Sequence, residues 1–134
     1  MTNHFKSDPL EVLKAAKTIL LVDWPNPGVP RALLKAGFKV YSYSPDEYTA
    51  ARLGGDDDVL FDPLVERLGQ VDIVNVYRPE EELYDIIMHH VLPLKAKVLW
   101  LHPPITSPRT REFAIKHGII FIEGADISEI AAKI

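Results

Sequence analysis

The sequence predicts an α/β fold, a three-layer, doubly wound parallel sheet of five to six strands with helices on both faces. Three observations carry that expectation. Short continuous apolar runs, such as Thr18-Ile-Leu-Leu-Val22, have the pattern of strands buried on both faces, as in parallel sheets. Segments with helix caps and amphipathic spacing lie between these runs. The alternation of strand and helix recurs about five times, and such alternation is resolved by right-handed βαβ crossovers.

The elements follow in order. Asp8-Pro9, then Leu10, Val12, Leu13 and Ala16, reads as a capped amphipathic helix, with Asp8 as N-cap and Pro9 as first helical residue. Thr18 to Val22 is the first strand. Pro25 to Pro30 is a proline-rich turn, and Pro30 to Ala36 a short helix closed by Gly37. Phe38 to Tyr43 alternates as a second strand, broken by Ser44-Pro45-Asp46. A short helix is expected over Tyr48 to Leu53, ending at Gly54-Gly55, and a short edge strand over Val59 to Phe61. Pro63 to Leu68 reads as another helix, Asp72 to Tyr77 as a strand, and Pro79 to Val91 as a long helix with acidic residues in its first turn. Lys97 to Leu101 is a strand, Ser107-Pro108 opens a helix that ends near His117-Gly118, Ile119 to Ile122 is the last strand, and Asp126 to Ile134 a closing helix.

Length and composition bound the function. A chain of 134 residues fits one domain, 1–134, and buries roughly two-thirds of its unfolded surface. The net charge of −4 gives no electrostatic footprint for nucleic acid or for an anionic membrane. The absence of cysteine excludes disulfides, thiolate nucleophiles and cysteine metal sites. No stretch approaches the ~20 apolar residues of a membrane span. Met1 to Asp8 is polar and lacks the apolar run of a signal peptide, so the cytoplasm is the expected location, with disorder expected only in the first few residues.

In a sheet of this kind a ligand lies beyond the carboxyl ends of the strands, at the switch point beside the first strand. The candidate loops are Asp23 to Arg31, Ser44 to Tyr48, Tyr77 to Glu80 and Leu101 to Thr106. Neither a G-x-G-x-x-G fingerprint nor a P-loop lysine motif is present, which argues against an ordinary NAD-dependent dehydrogenase.

Each candidate residue has two readings. Arg78, after a strand, either contacts an anion or pairs with Glu80 to Glu82. Arg31, in the first turn of the first crossover helix, is either an anion contact or a surface cation. His102 ends a strand at the expected cleft and is either an acid-base group or a satisfied loop residue. His89-His90 reads as surface or helix packing, and Asp56 to Asp58 as a solvated turn, so no metal site is expected. Asp23 either meets a ribose hydroxyl, acts as a base, or caps its own loop. Trp100 is core. Trp24 either stacks on a base or fills the cleft itself.

From Lys17 to about Ile127 the chain resembles the small stand-alone CoA-binding domains, which are similar to the Rossmann-type nucleotide-binding domain of the succinyl-CoA ligase α subunit. The segments that carry the resemblance are Thr18 to Val22 with Pro25-Asn26-Pro27, Gly37 to Tyr41 leading to Ser44-Pro45, Val71 to Pro79, Ala96 to Leu101, and Ala114 to Ile119. The resemblance implies that three loops hold the CoA nucleotide, and these fall on Asp23-Trp24-Pro25, Ser44-Pro45 and Tyr77-Arg78. Asp23 stands where the family has a phosphate-loop glycine, Ser44 where it has asparagine, and the segment from Asp23 to Gly37 is short by roughly one and a half helical turns.

The expected function is non-enzymatic binding of CoA, acyl-CoA or a related adenine nucleotide. The site would use Asp23, Trp24, Pro25, Asn26, Pro27, Gly28, Arg31, Ser44, Pro45, Tyr77, Arg78 and His102, with no catalytic residue. The alternative is a homologue with a closed cleft, acting as a protein-interaction or regulatory module, with a homodimer as one form of it. An enzyme is a third reading that rests on fold analogy alone.

Overall fold

The computed structural model describes residues 8–134; the disorder expected in the first few residues lies outside them. Helix α1 (Pro9–Lys14) starts as the sequence predicts, with the Asp8 side chain accepting a hydrogen bond from the Leu10 amide at 3.2 Å. Then come β1 (Thr18–Val22), α2 (Gly28–Lys35) and β2 (Lys39–Tyr43). An antiparallel hairpin follows, β3 (Tyr48–Leu53) and β4 (Val59–Pro63). Strand β5 (Ile73–Val76) leads through a tight helical turn, Glu80–Glu82, into α3 (Leu83–Ile86), which continues as a widened π turn over Ile87–Val91. The chain ends with β6 (Val98–Leu101), α4 (Pro108–Lys116), β7 (Ile120–Ile122) and α5 (Ile127–Ala131).

The seven strands form one sheet in the order β4-β3-β2-β1-β5-β6-β7. The five strands β2, β1, β5, β6 and β7 are parallel, and β3 and β4 extend the sheet antiparallel beyond β2. The chain therefore runs outward from β1 to β4 and returns to the other side of β1 at β5. The switch point lies between β1 and β5.

Side chains alternate across each strand and divide the core in two. Leu20, Val22, Val74, Val76, Leu99 and Leu101 lie under α3, with Phe113 of α4 packed against them. Ile19, Leu21, Ile73, Val98 and Trp100 face the other way, against residues of α1, α2 and α5. Each large side chain of this kind, fully buried, contributes about 1.5–3 kcal/mol. Trp100 is core as expected, its indole N–H donating to the Ala125 carbonyl at 2.9 Å.

Three expectations need correction. The sheet has seven strands, not five to six. Tyr48 to Leu53 is a strand, not a helix. Its two alanines suggest helix, but its partners decide otherwise: the Ser42 and Thr49 hydroxyls pair across β2 and β3, and Arg52 bonds Asp62 across β3 and β4 at 2.7 Å. The turn Gly54–Asp58 closes the hairpin, with Asp56 and Asp57 both at positive φ. Pro63 to Leu68 is not a helix either. Pro63 ends β4 at the outer edge of the sheet, where its missing N–H costs no ladder bond.

Candidate functional site

The loop after β1 is built from its own side chains. Asp23 takes a left-handed backbone conformation, φ 65°, one that aspartate tolerates better than most residues and glycine best of all. Its Oδ1 accepts from the Trp24 amide at 3.0 Å, so the side chain does cap its own loop. Trp24 stacks on Phe61 of β4, with ring centroids 5.3 Å apart and planes 25° apart. It neither fills the cleft described below nor lines it.

The N-terminus of α2 is already satisfied. The Gly28 amide donates to Asn26 Oδ1 at 2.9 Å, the Val29 amide to the Asn26 carbonyl at 3.2 Å, and the Arg31 amide to the Pro27 carbonyl at 3.1 Å. Pro30 has no N–H. Gly28 makes this cap possible, since a Cβ there would lie 2.8 Å from Asn26 Oδ1. Arg31 reaches away, its Nε donating to the Asp57 carbonyl at 3.0 Å.

A cleft of about 320 Å³ opens at the carboxyl ends of β1, β2 and β5, on the α3 side. Its walls are Val22, Asp23, Tyr43, Ser44, Pro45, Arg78, Glu82, Ile86 and His90. Arg78 sits between two carboxylates. Nη1 donates to Asp23 Oδ2 at 2.9 Å, while Nε and Nη2 grip Glu82 in a two-pronged contact at 2.9 and 2.7 Å. The hydrogen bonds to Glu82 and Asp23 hold the guanidinium firmly charged, and the Arg78 contact lowers the Glu82 pKa. Of the two readings of Arg78, the pairing with Glu82 is the one the structure shows, in a side chain that also lines the cleft.

His90 lies deeper in the cleft wall. It is 7% exposed and packed between aromatic rings, 4.3 Å from Tyr43 and edge-on to Tyr48 at 5.5 Å. Its Nδ1 is hydrogen-bonded to the Tyr48 hydroxyl. Burial, then the neighbouring His89, lowers its pKa and keeps the ring neutral near pH 7.

The predicted residues thus divide. Asp23, Ser44, Pro45 and Arg78 come together. Tyr77 and His102 lie on the opposite face of the sheet, because successive strand residues point opposite ways. There His102 is buried, with Tyr77 edge-on at 5.5 Å, Asp126 Oδ2 3.9 Å from Nε2, and no partner for Nδ1. Burial lowers its pKa against the pull of Asp126 and Glu129. Fully buried Asn75, whose amide also lacks a partner, lies on that same face. Asn26, Pro27, Gly28 and Arg31 make up the start of α2, and neither they nor Pro25 line the cleft. Tyr43, Glu82, Ile86 and His90 are cleft residues that sequence reasoning did not select. The four-residue spacing of Arg78 and Glu82 was the one visible signal.

Larger hollows lie elsewhere: two of about 480 Å³, one between α3 and α4 and one beside Tyr48, Arg67 and Leu94, and a third of about 470 Å³ beside Lys14, Phe38 and Ile134. Volume favours them. The smaller cleft is the better candidate because three strand-end loops and the charged cluster converge on it. Among the described residues no group of three or more His, Asp or Glu could hold a metal ion, and no helix is long and apolar enough to cross a membrane.

A family model described as a CoA binding domain matches residues 22–125, a span that includes every wall of the cleft. The chain belongs to the CoA-binding domain family. Among solved structures, this CoA-binding domain is similar to "cell-free ID.343" from Thermus thermophilus, with TM-score 0.70 and 24% identity over 95% of this chain and 98% of that one. It is also similar to Prb, described as a protein redesigned for binding, with TM-score 0.70 and 17% identity over 99% and 92% of the two chains. A hypothetical protein from Pyrococcus horikoshii OT3 aligns with TM-score 0.67 and 13% identity over 97% and 94%. These likenesses establish the fold. No curated protein matches the chain.

Proposed function

We propose that this domain binds CoA, acyl-CoA or a related adenine nucleotide without catalysing a reaction, and that the strand-end cleft is the site. The observation that carries the reading is the convergence of Asp23, Ser44-Pro45 and Arg78 on one cleft at the switch point. Its volume sits at the low end for ligand sites, so it takes the nucleoside end of a long ligand and leaves the rest outside. Arg78 organises the site by fixing both carboxylates, and Tyr43 and His90 supply ring surface. Tyr77, His102, Arg31 and the α2 cap have no direct part in this version of the site.

One set of observations favours a second reading, a regulatory or interaction module with the cleft closed to ligands. The Arg78 guanidinium is held at both sides, and the α2 amides are engaged.

Thermal unfolding with millimolar CoA, acetyl-CoA, dephospho-CoA, ATP and NAD separates the two. A ligand at 100 times its Kd adds about 2.7 kcal/mol, a rise of several degrees for a chain of this size. A shift with adenine nucleotides that is lost in Arg78→Ala supports the binding reading. A flat result across the panel leaves the interaction module.

A further inference from the structure

Resting on that reading, we infer that the cleft admits a nucleoside with free ribose hydroxyls and turns away phosphate, so that dephospho-CoA is preferred over CoA. The charge balance is the first argument. The cleft walls carry one cation, Arg78, against two carboxylates, Asp23 and Glu82, and both are bonded to it. A phosphate entering the cleft must displace a carboxylate from Arg78 and remain beside it, which is repulsive at this range. The usual substitute, a set of free amides at the first crossover helix, is missing: Gly28, Val29 and Arg31 already donate within the chain, and Pro30 has nothing to donate.

What the cleft offers instead is acceptors and ring surface. The carboxylates of Asp23 and Glu82 retain lone pairs beyond those Arg78 uses. Hydroxyl groups are their natural donors, and vicinal ribose hydroxyls match a carboxylate edge, as in the acidic residue of dinucleotide sites. His90 gives a second, independent pointer. Its Nδ1 is held by Tyr48, while Nε2, in a ring that lines the cleft, has no hydrogen-bond partner among the described residues and, unlike His102 Nδ1, is not one of the buried unpaired atoms. A neutral imidazole beside Tyr43 suits the edge or face of a purine, not a dianion.

CoA carries a phosphate on the ribose 3′-oxygen. That group removes one of the two hydroxyl donors and brings a dianion to Asp23 and Glu82. Dephospho-CoA and ADP keep both hydroxyls.

Calorimetric titration of the full chain with dephospho-CoA, CoA, ADP and adenosine tests this. Dephospho-CoA should bind about tenfold tighter than CoA, the scale of one partly screened like-charge contact. In Glu82→Gln, which removes one carboxylate charge and keeps an acceptor oxygen, CoA should gain about fivefold and narrow the gap. Equal or tighter binding of CoA by the native chain overturns the inference and leaves the nucleotide-binding function standing. Binding of none of the four overturns both. A preference for dephospho-CoA that Glu82→Gln leaves intact overturns the charge argument.

Discussion

Each end of the parallel strands carries one aspartate that ties β1 to β5, and the two ties are made of different donors. At the amino end, Asp72 Oδ2 accepts the amides of Lys17 and Thr18 at 2.8 and 3.1 Å and the Thr18 hydroxyl at 3.3 Å. The Asp72 amide returns a bond to that hydroxyl at 2.9 Å. At the carboxyl end, Asp23 reaches across to Arg78, a side chain that also holds Glu82. Backbone amides cannot turn away without unfolding the turn that carries them. A guanidinium can change partners by rotating. The first end belongs to the fold, and the second can rearrange its side chains while the strands stay paired.

The sharpest way to break the comparison is at Asp72. Asp72→Ala strands two amides and a hydroxyl that water can reach only in part, and should cost about 2 kcal/mol, lowering Tm by about 8 °C. Burial alone would raise the Asp72 pKa, but the bonds from Lys17 and Thr18, with Lys97 nearby, outweigh it and lower it. A carboxylate with a folded pKa below its unfolded one contributes stability that is present above the unfolded value, near 3.9, and is lost as pH falls through the folded value. The native chain should therefore lose more stability than Asp72→Ala as pH falls from about 5 to 2. Parallel acid denaturation curves for the two proteins would refute the assignment.

Asp23 allows a finer separation, of backbone from side chain. Asp23→Gly and Asp23→Ala remove the same tie to Arg78, but only glycine accepts φ 65° without strain. The alanine variant should be about 1 kcal/mol less stable than the glycine variant in chemical denaturation. Equal stabilities would mean that the loop does not keep its left-handed turn in solution.

Most of the fold was legible because β1 and β6 are near-continuous apolar runs, and β5 is one broken only by Asn75. The stretch 48–68 has no such run, and its expected helices over Tyr48 to Leu53 and Pro63 to Leu68 were misread, while the edge strand over Val59 to Phe61 stands as β4. Its strands exist because β2 offers an open edge and because Gly54 to Asp58 can turn back on itself, and both are tertiary facts. The same error hid part of the site: with Tyr48 placed in a helix, nothing connects it to His90. Arg78 was legible from its place after a strand. Its neighbour Tyr77 and the strand-end His102 misled because period-two alternation sends them to the other face, and loop position alone does not record face.

The smallest effect is the most telling contrast with Asp72. The Arg78–Glu82 pair has good geometry, but its side chains are 38% and 45% exposed, and such pairs contribute little. Glu82→Gln should change stability by no more than about 0.5 kcal/mol. Arg78 lowers the Glu82 pKa, so whatever the pair contributes is present above pH 4.3 or so and fades in acid, and with water screening both partners the fading should be too small to shift the denaturation curve. A loss above about 1 kcal/mol would show that Glu82 holds the fold together as Asp72 does. A near-zero loss, with a changed preference among nucleotides, would identify the carboxyl end as the place where a charge serves recognition and can be removed while the sheet stays intact.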